Sequence, residues 1–193
     1  MRGPKVILIG HPGSQFLVPA SKYLTGKYLP GFNVQYLNHR GPTEEWSKFL
    51  CEQLRFCGGT VVILSLDDYL LSAPIDMEAY EQAMSRFMED GVRCVKLFEC
   101  TDDEHLEYPV TTQYTVWDRR FLMKILQQTT DPWDFEMKGS RIFGSDRESV
   151  SVKPAIPALK YNTSSALSSR WKGVRLDGLS EEDRAEVQKL IEK

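Results

Sequence analysis

Two adjacent carboxylates, Asp67 and Asp68, close an apolar run over residues 60–66, and a second acidic group lies in Asp131-Pro132-Trp133-Asp134-Phe135-Glu136. These types and spacings could do chemistry. Paired carboxylates at a strand end are hard oxygen ligands, suited to a divalent cation (Mn²⁺ or Mg²⁺) that carries a diphosphate. The carboxyl ends of strands in an open α/β sheet are also where ligands gather. Glu136 stands between Phe135 and Met137, and a partly apolar pocket would raise its pKa toward that of a general base. Trp133 offers an apolar ring face for a sugar. Plainer readings stand beside these: Asp67 could cap a turn, Asp68 could be solvated, Trp133 and Phe135 could be core, and Glu136 could sit in a salt bridge.

The elements that must position these groups follow from the patterning. Residues 5–9 read as a first strand ended by Gly10-His11-Pro12-Gly13. Glycines there let backbone approach a phosphate or base beside a helix N-terminus, although the segment matches neither G-x-G-x-x-G nor G-x-x-x-x-G-K-[ST]. Ser14 is placed to cap a helix whose apolar face uses Phe16, Leu17, Ala20 and Leu24. Residues 32–37 alternate as a strand, and a helix runs from Thr43 to about Cys57 before the strand that carries Asp67-Asp68. The opening is therefore β-α-β-α-β with parallel pairing. His11 and His39 each follow a strand on the ligand edge, as candidates for nucleotide or sugar hydroxyl or as ordinary surface residues.

Beyond it, residues 77–89 predict an amphipathic helix with Tyr80, Met84, Phe87 and Met88 on its buried side. Residues 92–98 and 111–116 read as strands, 101–107 as an exposed acidic loop and 119–127 as a short helix. Pro132 opens a turn that carries Glu136. The pattern loosens over 138–175, and residues 179–193 form a closing helix with Ser180 as N-cap, Asp183 at N3 and Val187, Leu190 and Ile191 as its stripe.

At 193 residues the chain fits one domain, 1–193. No apolar run approaches the roughly 20 residues that span a bilayer, and the N-terminal segment reads as a strand rather than a signal peptide. The four cysteines, without C-x-x-C spacing, predict reduced thiols and a cytoplasmic protein. The net charge of −3 argues against a generic nucleic-acid binder, but its distribution is uneven. Residues 1–137 hold 13 Lys/Arg against 19 Asp/Glu, whereas 138–175 hold 8 against 2. Arg141, Lys153, Arg170 and Trp171 in that basic stretch combine cations with an aromatic, the composition of a nucleic-acid contact or of a solvated surface.

In order and spacing, Trp46, Asp67-Asp68-Tyr69-Leu70-Leu71, Trp117-Asp118-Arg119-Arg120-Phe121-Leu122 and Pro132-Trp133-Asp134-Phe135-Glu136 with Gly139-Ser140 resemble a group of small bacterial and phage glycosyltransferase-like proteins with a GT-A-type sheet. The match covers roughly residues 5–145. The resemblance implies an α/β, GT-A-like (Rossmann-like) domain with a mostly parallel central sheet, and an enzyme that uses a nucleotide sugar. Asp67 and Asp68 would stand in place of the spaced D-x-D metal motif, with Gly10, His11 and Trp133 also at the donor. Glu136 would take the acceptor proton, with Asp134 as its rival. Similar small phage enzymes glycosylate hydroxymethylated pyrimidines in DNA, which implies a DNA acceptor and, for a phage-encoded chain, the host cytoplasm. The shared pattern weakens near residue 145, so Arg141, Lys153, Arg170 and Trp171 are acceptor candidates by their basic and aromatic composition alone. A saccharide acceptor, a nucleotide-sugar-binding module and a nucleic-acid-binding module are the alternatives.

Overall fold

Continuous aliphatic runs become the central strands. β1 (Lys5–Gly10), β2 (Asn33–Asn38) and β3 (Val61–Leu66) alternate with α1 (Val18–Tyr28) and α2 (Trp46–Arg55). Val6, Ile7, Leu8 and Ile9 are fully buried, as are Val62 and Ile63, which is what a parallel strand covered on both faces requires. The chain continues through α3 (Met77–Phe87), β4 (Cys94–Lys96), β5 (Thr115–Asp118), α4 (Arg119–Leu126), α5 (Pro132–Phe143), β6 (Ser149–Ser151) and α6 (Glu181–Ile191). This computed structural model describes residues 4–10, 13–98, 108–143, 149–151, 153–159 and 176–192.

The strands form one six-stranded sheet in the order β2-β1-β3-β5-β4-β6. β1 pairs in parallel with β2 and β3, and β4 with β6, while β5 is antiparallel to both β3 and β4. β5 alone is therefore reversed. The expected α/β domain with a mostly parallel central sheet flanked by helices is what the structure shows. Among the described residues no helix is long and apolar enough to cross a membrane.

Several local expectations are corrected. The strand expected at 92–98 is only Cys94–Lys96, and the one expected at 111–116 begins at Thr115 and takes in Trp117 and Asp118. Asp118 then caps α4, accepting from the Phe121 N–H at 2.9 Å. Met88 falls just past the end of α3 and is 76% exposed, so helical periodicity does not bury it. Pro132 opens a twelve-residue helix rather than a turn. Proline suits the first helical position because its missing N–H would be unpaired there anyway. Asp131 accepts from the Asp134 N–H (2.8 Å) and Asp134 from the Thr130 N–H (3.0 Å), closing that helix start. The loop expected at 101–107 lies outside the described residues.

Two anchors tie the helices down. The Phe135 ring is fully buried and meets Trp46 and Trp117 edge-on at 5.9 Å each, which locks α5 against α2 and β5. On the α1 side, Asp183 of α6 is fully buried and accepts from Lys27 Nζ (2.7 Å), Tyr23 (2.9 Å), Ser180 (2.9 Å) and Tyr28. Burial alone would raise the Asp183 carboxyl. The donors from Lys27, Tyr28, Tyr23 and Ser180 outweigh it and hold the group well below the usual range.

Removing the Phe135 ring leaves a cavity between two indoles. Phe135→Ala should cost about 3–5 kcal/mol, whereas Trp133→Ala, two residues earlier on the same helix and 49% exposed, should cost about 0.5 kcal/mol. Urea unfolding of the two variants checks this, and equal losses would contradict the packing described.

Candidate functional site

The β-α-β opening puts the ends of β1, β2 and β3 side by side, with Ile9 opposite both Leu37 and Leu66. Gly10 closes β1, and its carbonyl accepts from the His39 N–H at 3.4 Å. Asp67 follows Leu66, and its own N–H donates to the Ile9 carbonyl at 3.2 Å. The Asp67 side chain turns inward and is 1% exposed. The Ser14 hydroxyl donates to its Oδ1 at 2.7 Å. A Cβ on Gly10 would lie 2.4 Å from its Oδ2, so the carboxylate rests on bare backbone.

The expected cap at Ser14 is thereby corrected. Ser14 makes no side-chain cap, because its hydroxyl serves a partner 53 residues away. Burial pushes the Asp67 carboxyl from the ordinary 3.8 up to about 6, against the opposing pull of Ser14 and a backbone N–H. Tyr114, buried in turn, has its phenol raised by burial and then by the nearby Tyr36, Asp67 and Asp68.

Glu136 reaches the same edge from a different direction. Its Oε1 accepts from the Thr112 N–H (2.7 Å), the Thr112 hydroxyl (2.7 Å) and the Thr111 hydroxyl (3.1 Å). The Thr112 carbonyl in turn accepts from the Leu66 N–H at 3.0 Å. Glu136 is therefore linked through one residue to the last position of β3. Its surroundings are polar donors rather than the expected apolar pocket or a salt bridge. Asp134 sits two residues away but is bound into the start of α5, so of the two candidate bases only Glu136 reaches the strand ends. Trp133 is half exposed near the start of α5 while Phe135 is core.

Asp67 and Asp68 were expected to hold a cation, and the donor set does not fit a ready-made site. Both Asp67 oxygens lie against Ser14 and Gly10, and burial disfavours charge on Asp67. Among the described residues no three His, Cys, Asp or Glu side chains group as metal ligands would. Of the acceptor candidates, Arg141 is exposed on α5, and Lys153 is exposed but pairs with Asp76 at 3.0 Å, the residue that caps α3. His11, Arg170 and Trp171 lie outside the described residues. His39 is 3% exposed, with its ring 5.1 Å from that of Phe49. The described cysteines Cys51, Cys57 and Cys94 are buried, the Cys94 Sγ lying 4.0 Å from the Pro109 carbonyl. Sequence reasoning missed Ser14, Thr111 and Thr112 as members of the site, since nothing local marks a hydroxyl whose partner is 24 to 53 residues distant.

No protein-family model matches the chain, and no curated protein does. Solved structures with a similar chain path include residues 1-349 of S. aureus TarS in complex with UDP-GlcNAc, with 14% identity and a TM-score of 0.49 over 98% of this chain and 65% of that one. A cytidylyltransferase from Leptospira borgpetersenii aligns at 8% identity and a TM-score of 0.44 over 72% of this chain and 69% of that one. The bifunctional IspDF from Campylobacter jejuni aligns at 14% identity and 0.42, over 73% of this chain and 47% of that one. The chain thus spans less than two thirds of the TarS and IspDF chains. These likenesses assign no residue a role.

The raised Asp67 pKa has a stability consequence. The folded protein holds this proton more tightly than the unfolded chain, so the contribution is present at low pH and is lost as pH rises from about 4 to about 6, by at most about 3 kcal/mol. Asp67→Asn keeps an oxygen for Ser14 and removes the buried charge. Urea unfolding should find the variant more stable than the parent at pH 8 and little different at pH 4. A difference independent of pH would contradict a raised Asp67.

Proposed function

We propose that this chain is a glycosyltransferase with a GT-A-like sheet, moving a sugar from a nucleotide-sugar donor to a hydroxyl acceptor. The observation that carries the reading is the convergence on one sheet edge of Gly10, Asp68 and Glu136, the last tied through Thr112 to the end of β3. Gly10 offers a strand end without a side chain, where backbone can approach a diphosphate. Asp68 orients the donor sugar beside it. The donors from Thr111 and Thr112 engage Glu136 Oε1, and Oε2 is the oxygen to which we assign the acceptor proton.

In the step itself the acceptor oxygen attacks the anomeric carbon as its proton passes to Glu136. The bond from that carbon to the diphosphate oxygen breaks, and the nucleoside diphosphate leaves with the electron pair. A single displacement of this kind inverts the anomeric centre. The half-open surface of Trp133 supports its assignment to the apolar face of the sugar.

The acceptor we favour is the hydroxymethyl group of a modified pyrimidine in DNA, exposed or flipped from the stack. What supports it is the basic composition of residues 138–175, with Arg141 two turns along α5 from Trp133. A saccharide hydroxyl would use the same base and donor without that basic stretch.

Transfer of radiolabelled sugar from a panel of nucleotide sugars, onto hydroxymethylpyrimidine DNA and onto saccharides, tests both levels. Glu136→Gln keeps an amide oxygen for Thr111 and Thr112 and loses the base, so transfer should fall by about 10²–10⁴-fold with the fold intact. Label in saccharide alone would reject the DNA acceptor. Neither transfer nor donor hydrolysis in the wild-type protein would reject the enzyme.

A further inference from the structure

Asp67 is more deeply buried than Asp68 (1% against 8% exposed), and its side chain is turned toward the protein rather than toward the sheet edge. Ser14 (2% exposed) and Asp67 (1% exposed) bond to each other at 2.7 Å across 53 residues. The other carboxylate oxygen occupies the space that a side chain at Gly10 would need, and the Asp67 N–H is held by the Ile9 carbonyl. Three ties thus run from one residue at the end of β3 to the end of β1 and the turn that follows it. A carboxylate so engaged has no face left for a phosphate or a cation.

We propose that Asp67 is a positioning residue, not a donor or metal ligand: with Ser14 it clasps the turn after β1 onto β3 and thereby shapes the donor site. The role at the donor rests on the proposed function of this edge, whereas the clasp itself does not. It also divides the adjacent pair, leaving Asp68 as the carboxylate for the donor sugar. Gly10 follows from the same geometry, because any side chain there would displace the carboxylate that holds the turn.

Three variants separate the roles: Ser14→Ala removes the hydroxyl, Asp67→Asn keeps the acceptor oxygen without charge, and Asp67→Ala removes both. Hydrogen exchange of the amides at 13–17, in the ligand-free full chain, reads the clasp. Transfer kinetics with UDP-glucose and UDP-N-acetylglucosamine read the site. Loss of one bond to a carboxylate should speed exchange in Ser14→Ala by about ten- to a hundredfold, and raise KM with kcat little changed. Asp67→Asn should exchange no faster than wild type and keep its KM near the wild-type value, and this rescue distinguishes positioning from ligation. Asp67→Asn losing donor affinity as Asp67→Ala does, with Ser14→Ala unaffected, would make Asp67 a direct ligand and overturn the proposal. Unchanged exchange in Ser14→Ala would overturn the clasp. Should the wild type use neither nucleotide sugar, the exchange comparison still decides the clasp, and the failure falls on the proposed function alone.

Discussion

The pairing of β5 with β3, Leu64 opposite Thr115 and Val61 opposite Asp118, sets the position of every group at the candidate site that does not come from the first half of the chain. Because β5 runs against β3, its leading residues lie at the carboxyl end of β3. Thr112 therefore meets Leu66, and Thr111-Thr112 become the platform on which Glu136 rests. Had β5 been parallel, those threonines would lie at the opposite edge, and α5 would bring its carboxylate to the wrong end of the sheet. The same reversal sends α4 back toward the ligand edge, where the Thr130 carbonyl accepts from Ser47 at 2.9 Å and α5 begins.

Two kinds of interaction share the work of holding that edge. The aromatic contacts of Phe135 with Trp46 and Trp117 supply undirected burial, which tolerates small shifts. The ties of Glu136 to Thr111-Thr112 and of Asp67 to Ser14 supply direction, at the cost of placing carboxylates out of water. Asp67 carries that cost visibly, its pKa raised by burial, while Asp183, equally buried, is surrounded by enough donors to be lowered instead. Two buried carboxylates thus shift in opposite directions, and the count of donors around each decides the sign.

The first half of the fold was legible because it is written locally. β1 is an apolar run closed by Gly10, and β3 is one that follows Gly58-Gly59 and ends at Asp67-Asp68. At the far end of the chain α6 is equally local, opening with Ser180 accepting from the Asp183 N–H as expected. Misreadings came where tertiary contacts override local grammar. Pro132 reads as a turn and the pattern loosens from residue 138, yet proline fits a helix start and α5 runs on to Phe143, with Gly139 where it crosses Ile125 and Val110, at 2.9 and 3.1 Å from a would-be Cβ. A four-residue strand such as β5 carries no record of its direction. Asp67, Asp68 and Glu136 were legible as candidates, but the inward turn of Asp67 depends on Ser14 and on the bare face of Gly10, neither of which spacing reveals.

The central claim, that the edge joining Gly10, Asp68 and Glu136 is the nucleotide-sugar site, is tested most directly by mapping amide chemical shifts during titration with UDP-glucose, UDP-N-acetylglucosamine and UDP. The account predicts that perturbed amides cluster at Gly10, Gly13, Asp67, Asp68 and Thr112, with the sugar nucleotides extending the set toward α5. Perturbations confined elsewhere, such as the groove of about 610 Å³ lined by Pro4, Phe32, Asn33 and Tyr80, or none with any of the three, would contradict it.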